Sequence, residues 1–75
     1  MNQQMFLTQL DELMELPPGT VKAADQLRDH GWDSLTVIGF IAFADERFGY
    51  AVPPAALLKC QTAADLMATL GDRIN

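Results

Sequence analysis

From Ser34 to Phe48 the chain strings Leu35, Val37, Ile38, Phe40, Ile41, Phe43, Ala44 and Phe48 into one segment. At helical periodicity these residues point in many directions, so the segment reads as a helix apolar around much of its circumference. Such a helix belongs at the centre of a fold, with other elements packed around it. Asp33 directly before it is a good N-cap, because its carboxylate can accept from the free amides of the first turn. Gly49 directly after it is a natural C-terminal cap. A chain of 75 residues holds one small domain, 1–75, with a limited core and no deep enzyme cleft.

The other segments must cover that central helix. Phe6, Leu10, Leu13 and Leu16 recur at helical spacing and predict an amphipathic helix over Asn2 to Leu16, with Asp11, Glu12 and Glu15 on its other faces. Pro17-Pro18-Gly19 stops it. A long connection follows to Asp33, in which Val21 and Leu27 are the candidate anchors to the core and Thr20 to Arg28 can hold a short turn. Val52-Pro53-Pro54 opens one or two helical turns ending at Lys59. Thr62, with Asp65 three residues on, predicts a capping box for a last helix buried through Ala63, Leu66, Met67 and Leu70. Gly71 ends that helix, and Asp72 to Asn75 are expected to fray. Strand pairs, repeats and low-complexity runs are missing from the pattern. The fold class is therefore all-α: a four-helix bundle with three main helices, one short third helix and a long first loop.

Charge narrows the range of partners. Ten acidic and five basic residues give a formal net charge of -5, which repels nucleic-acid backbones and anionic membranes and favours proteins with basic patches. Cys60 is the only cysteine. It can form no internal disulfide, and a zinc site of Cys and His would lack ligands, so no metal is expected and a reducing cytoplasm is the simplest setting. The N-terminus has neither the basic start nor the apolar run of a signal peptide, and no stretch is long enough to span a membrane. Met1 and the short ends lead to the expectation of a free protein.

The chemistry-bearing segment is Gly31-Trp32-Asp33-Ser34-Leu35. It sets a serine hydroxyl at the mouth of a helix, beside free amides and the positive end of the dipole, where a phosphate ester is well placed. By itself the tripeptide Asp33-Ser34-Leu35 is equally a plain helix cap. His30 nearby invites a catalytic-triad reading, but the spacing gives no reason for the geometry and the nucleophile-elbow pattern is missing.

In its setting, the segment resembles the signature of the acyl carrier protein family. The resemblance runs from the first helix through Leu70: Asp33-Ser34-Leu35, the apolar helix ending in Asp45-Glu46-Arg47-Phe48, the Val52-Pro53 step, and the Thr62-led last helix. It implies an acyl-carrier-like bundle whose Ser34 bears a 4′-phosphopantetheine arm taken from coenzyme A, with the terminal thiol holding acyl groups as thioesters. Asp33 would orient the transferase complex and Leu35 would form part of its recognition surface. Partner recognition would extend to Trp32, Thr36, Val37, Asp45 and Glu46. The implied partners are a phosphopantetheinyl transferase and acyl-loading, ketosynthase or other acyl-processing enzymes, and the chain would be a monomeric, cytoplasmic carrier with no catalytic residues of its own.

Departures from the family pattern carry information too. Thr36 and Gly39 stand where acids are common, and Pro54-Ala55-Ala56-Leu57-Leu58 has no acid, which points to a specialised pathway, polyketide or related secondary metabolite, with more apolar partner contacts, and leaves a fatty-acid-type pathway as the alternative. Gly39 costs about 1 kcal/mol inside a helix relative to Ala and reads as tolerated variation or, alternatively, as close approach by a neighbour. Trp32 either shields the arm or anchors the loop. Cys60 reads as a buried, inert thiol. The competing readings are an aminoacyl or peptidyl carrier, a helical interaction module with Ser34 as a mere cap, and a remote serine hydrolase using Ser34 and His30.

Overall fold

The computed structural model describes residues 1–74. Four α-helices carry the chain: α1 (Gln3–Leu13), α2 (Ser34–Phe48), α3 (Pro54–Leu58) and α4 (Ala63–Leu70). One 3₁₀ turn, Leu27–His30, closes the first loop and another, Gly71–Arg73, follows α4. Among the described residues there is no strand, only an isolated bridge between Gln26 and Thr62. The all-α expectation, with its short third helix and long first loop, therefore holds.

Helix α2 lies between α1 and α3, and α3 leads on to α4. Phe40 and Ala44 are its fully buried residues. Phe40 meets Phe6 of α1 edge-on at 6.1 Å and Trp32 edge-on at 6.0 Å. Phe43 and Phe48 extend the aromatic contacts at 5.8 Å. Leu57 of α3 and Leu66 and Leu70 of α4 close the core from the far side. Edge-to-face packing at these separations adds to the area term and fixes the side-chain geometry. Gly39 faces the end of α1: a Cβ there would stand 3.0 Å from Leu13 Cδ1. A side chain at this position would press on the end of the Leu13 side chain, so this glycine lets Leu13 pack closely against α2.

Helix α1 ends at Leu13, a turn earlier than the apolar period predicts. A proline ring clashes with the carbonyl four residues before it, here Leu13, and disfavours helical backbone at the residue before it, here Leu16. The chain instead leaves the helix through Glu15, which adopts a left-handed φ of 58°. Leu16 N–H turns back to Asp11 O at 2.8 Å.

Asp11, expected on a polar face, is buried at 1% exposure. Its Oδ2 accepts from Gly19 N–H at 2.8 Å and its Oδ1 from Val21 N–H at 2.9 Å. The loop wraps over that face of α1 and converts a polar position into an interior one. Val21 and Leu27 enter the core as expected. Farther on, the loop is stitched to the α3–α4 connection by Leu27 N–H to Gln61 O and to the first turn of α4 by Ala64 N–H to Ala23 O, each at 2.8 Å.

The capping box of α4 forms as predicted between Thr62 and Asp65. Asp72 and Arg73, expected to fray, are held instead: the Arg73 guanidinium lies 4.1 Å over the Tyr50 ring and donates to Leu70 O at 3.2 Å. The expectation for Asn75 lies outside the described residues.

Asp11→Ala leaves two backbone donors without their acceptor, one of them in the core. It should lower unfolding stability by about 2–4 kcal/mol, measured by urea denaturation. The Gly19 and Val21 amides should lose hydrogen-exchange protection while those of α4 keep theirs relative to the global stability.

Candidate functional site

The site begins with the end of the first loop. The 3₁₀ turn closes on Gly31 at φ 85°, a left-handed conformation open to glycine without a Cβ penalty. That turn delivers Trp32 and Asp33 to the head of α2. Asp33 is the N-cap, with extended backbone at φ -138°. Its Oδ1 accepts from Thr36 N–H and from Thr36 Oγ1–H, both at 3.0 Å. These two bonds, the backbone one first, hold the Asp33 carboxyl below its ordinary value of 3.8.

Ser34 is the first residue of α2 and is exposed. Thr36 N–H is taken by the cap, and the Leu35 amide also favours the Asp33 carboxylate, so the Ser34 amide at the head of the helix is the one left open. The aligned peptide dipoles add positive potential at that point. A phosphate ester on the Ser34 hydroxyl therefore fits, since it would lie in solvent at the positive end of the helix dipole. His30 does not serve Ser34: its Nε2 lies 3.0 Å from Asp25 Oδ2, an oxygen that also accepts Lys22 N–H at 2.9 Å. The Lys22 bond and then the His30 contact lower the Asp25 pKa. A Ser-His couple is thus not assembled.

Beside Ser34 a groove of about 410 Å³ runs between α2 and α3. Val37, Ile38, Leu57 and Leu58 form its apolar walls, with Trp32 and Cys60 on the side of the first loop. Leu35, Ile38 and Leu58 are 79%, 63% and 81% exposed, so large apolar side chains ring the serine. The Trp32 ring packs edge-on to Phe40, which anchors the end of the loop to the core, and it also walls the groove.

Among the sequence-predicted residues, Asp33, Ser34, Leu35, Thr36, Val37 and Trp32 come together here. Thr36 is occupied by the cap, and Val37 is half-buried. Asp45 and Glu46 are exposed but lie in the last turns of α2, about 16–18 Å along the axis from Ser34. They belong to a different part of the surface. Cys60 is half-buried rather than buried, and its Sγ–H donates to Ala56 O at 3.4 Å. Sequence reasoning missed Ile38 and Leu58 as site residues. A signal for both existed: a helix apolar all round must leave one face outside in so small a protein, and two adjacent leucines on one short helix cannot both face inward.

Comparison with known proteins agrees with this geometry. The family model for the phosphopantetheine attachment site matches residues 6–70. No curated protein and no solved structure gives a significant match. The match spans most of the chain, and the protein belongs to the phosphopantetheine attachment site family. It is a phosphopantetheine-bearing carrier, and its cofactor is covalently bound 4′-phosphopantetheine. Carrier domains of this family are generally non-catalytic and work with phosphopantetheinyl transferases and acyl-processing enzymes. Among the described residues no helix is long and apolar enough to cross a membrane.

The depressed Asp33 pKa has a definite sign. A carboxyl whose folded-state value lies below its unfolded value stabilises the fold fully above the unfolded value, near 3.8, and loses that contribution as pH falls through the folded value. A carbon-detected NMR titration should give Asp33 a midpoint below 3.8. Thr36→Val, which removes the hydroxyl bond and keeps the backbone one, should raise that midpoint without restoring it fully.

Proposed function

We propose that residues 1–75 form a single acyl carrier domain and that Ser34 is the attachment point of its arm. The observation that carries this reading is the exposed Ser34 hydroxyl at the Asp33-capped mouth of α2, with an apolar groove at its side. When bound, 4′-phosphopantetheine supplies a terminal thiol that holds acyl groups as thioesters. The chain's own residues present and orient. Asp33 fixes the first turn, and its exposed carboxylate is placed to help align a transferase complex. Leu35 offers an apolar contact to the same enzyme, and Trp32, Thr36 and Val37 extend the docking surface. Asp45 and Glu46 serve larger partners that reach the far end of α2. The base that activates the hydroxyl comes from the transferase, because His30 is committed to Asp25. The carrier works as a cytoplasmic monomer and catalyses nothing itself.

An apolar groove supports acyl over aminoacyl or peptidyl cargo. The ring of Leu35, Ile38 and Leu58, with no acid in the first turn of α2 or in α3, supports a specialised, polyketide-type pathway. Apolar docking of this kind depends on buried area more than on steering.

Incubation with coenzyme A, magnesium and a broad-specificity phosphopantetheinyl transferase should add one phosphopantetheine to the wild type and none to Ser34→Ala, read by intact mass. No addition to folded wild type would leave Ser34 as a cap alone. General fatty-acid synthesis enzymes should elongate acyl chains on this carrier at least tenfold less efficiently than on their own, a difference of about 1.4 kcal/mol. Equal rates would overturn the specialised pathway.

A further inference from the structure

His30 takes no part in the chemistry at Ser34, yet its pairing with Asp25 is the one ion pair among the described residues. Nε2 and Oδ2 stand 3.0 Å apart, and the two side chains are only 20% and 34% exposed, so solvent screens the bond incompletely. Asp25 Oδ2 also accepts Lys22 N–H at 2.9 Å, and Asp25 N–H donates back to Lys22 O at 3.0 Å. The carboxylate is thus fixed on its own turn before it reaches forward to the imidazole. The Lys22 bond and then the His30 contact lower its pKa, which keeps it charged at neutral pH.

What the pair holds lies next to Ser34. The front of the 3₁₀ turn is tied to the rest of the fold by Leu27 N–H to Gln61 O at 2.8 Å and by the Gln26–Thr62 bridge. The rear is closed by longer backbone bonds, Gly31 N–H to Arg28 O at 3.4 Å and Trp32 N–H to Leu27 O at 3.3 Å. Bonds of that length are weak. The rear of the turn therefore depends on two side chains, the Trp32 ring against Phe40 and His30 against Asp25. From His30 the chain runs through Gly31, Trp32 and Asp33 directly to Ser34.

Of these two ties, only the second can change its charge near neutral pH. An imidazole loses its positive charge across about pH 5–8, and its bond to a carboxylate is charge-assisted only while that charge is present. The charged groups around the pair are of other types. Lys22 lies beside Asp25, and Arg28 and Asp29 share the turn with His30. Cys60 and Asp65 come from the side bonded to the front of the turn, with the Asp65 carboxylate on the Gln61 and Thr62 amides. Asp33 follows, with its carboxylate on Thr36. None of these types ordinarily titrates in that range.

We propose that His30, acting through Asp25, is a positioning residue for attachment of the arm. While His30 is protonated, the pair holds the Gly31–Asp33 segment in the form that presents Ser34 to the transferase. The hold slackens as His30 loses its proton. The inference rests on the carrier reading of Ser34. In the transfer itself the Ser34 oxygen bonds to the phosphorus that bears pantetheine, the pyrophosphate bond of coenzyme A breaks, the nucleotide leaves and the hydroxyl proton goes to the transferase. His30 changes only how often Ser34 is in place for that step, so it acts on KM and not on kcat.

The test follows transfer from coenzyme A by one broad-specificity transferase to wild type, His30→Gln and Asp25→Asn, from about pH 5.5 to about pH 8.5. Dividing each KM by that of His30→Gln at the same pH removes the pH dependence of the transferase. For wild type the ratio should be about one-half at the acid end and approach one at the alkaline end, with kcat unchanged. For Asp25→Asn it should stay flat. The hydrogen-exchange protection factor of the Trp32 amide should fall about twofold over the same range in wild type and stay level in His30→Gln. A wild-type KM ratio independent of pH, or a pH-dependent ratio that survives in Asp25→Asn, would overturn the inference. Failure of folded wild type to take up the arm at any pH would instead overturn the carrier reading.

Discussion

A buried carboxylate holds the first loop in place. Among the described residues no cation pairs with Asp11; two backbone amides, from Gly19 and Val21, donate to its carboxyl oxygens. Such bonds are stronger than those between neutral groups, and breaking one strands a buried donor. The loop therefore returns over α1 instead of drifting, and Val21 and Leu27 reach the core. Its far half can then pair with the first turn of α4 through Ala23 and with the α3–α4 connection through Leu27. Only with both ends tied does the 3₁₀ turn bring Trp32 and Asp33 to the head of α2. The geometry around Ser34 thus depends on a residue at the other end of the loop.

This dependence also explains which parts of the fold could be read from the sequence. The boundaries of α2 and the capping box of α4 were legible because their causes are local. Asp33, Gly49, Thr62 and Asp65 each act within one turn of themselves. The end of α1 was half legible. The prolines announced a stop, but their effect reaches back to Leu13, and the apolar period continuing to Leu16 concealed it. Asp11 could not be read at all. Its helical position is polar, and only a loop returning from several residues downstream makes that position interior. Arg73 is a similar case, since its hold on Tyr50 joins two segments far apart in the chain.

The candidate site divides in the same way. Asp33-Ser34-Leu35 could be read because a cap, a hydroxyl and an apolar neighbour in sequence are also neighbours in space. Leu58 and Cys60 come from a different helix and the turn after it, and only tertiary packing sets them beside Ser34. Ile38 was misjudged for a subtler reason. Counting apolar residues around α2 predicts burial, yet a bundle of this size has too few elements to cover every face. The uncovered face falls on the side of Ser34.

An exposed apolar face is a liability for a small acidic protein unless something covers it at intervals. On the proposed reading, the apolar side chains would give each partner a common contact beside the arm. The same arrangement separates two tasks. On the proposed reading, Asp45 and Glu46, at the far end of α2, would steer an approaching basic enzyme over a distance, and Leu35, Ile38 and Leu58 would contribute only once the surfaces touch and water leaves. A carrier that must visit several enzymes in turn benefits from this division, because steering speeds each encounter while a modest apolar contact lets each one end. The rigid elements serve that traffic: α2 stays fixed by its caps and aromatic packing, and the motion required is left to the arm.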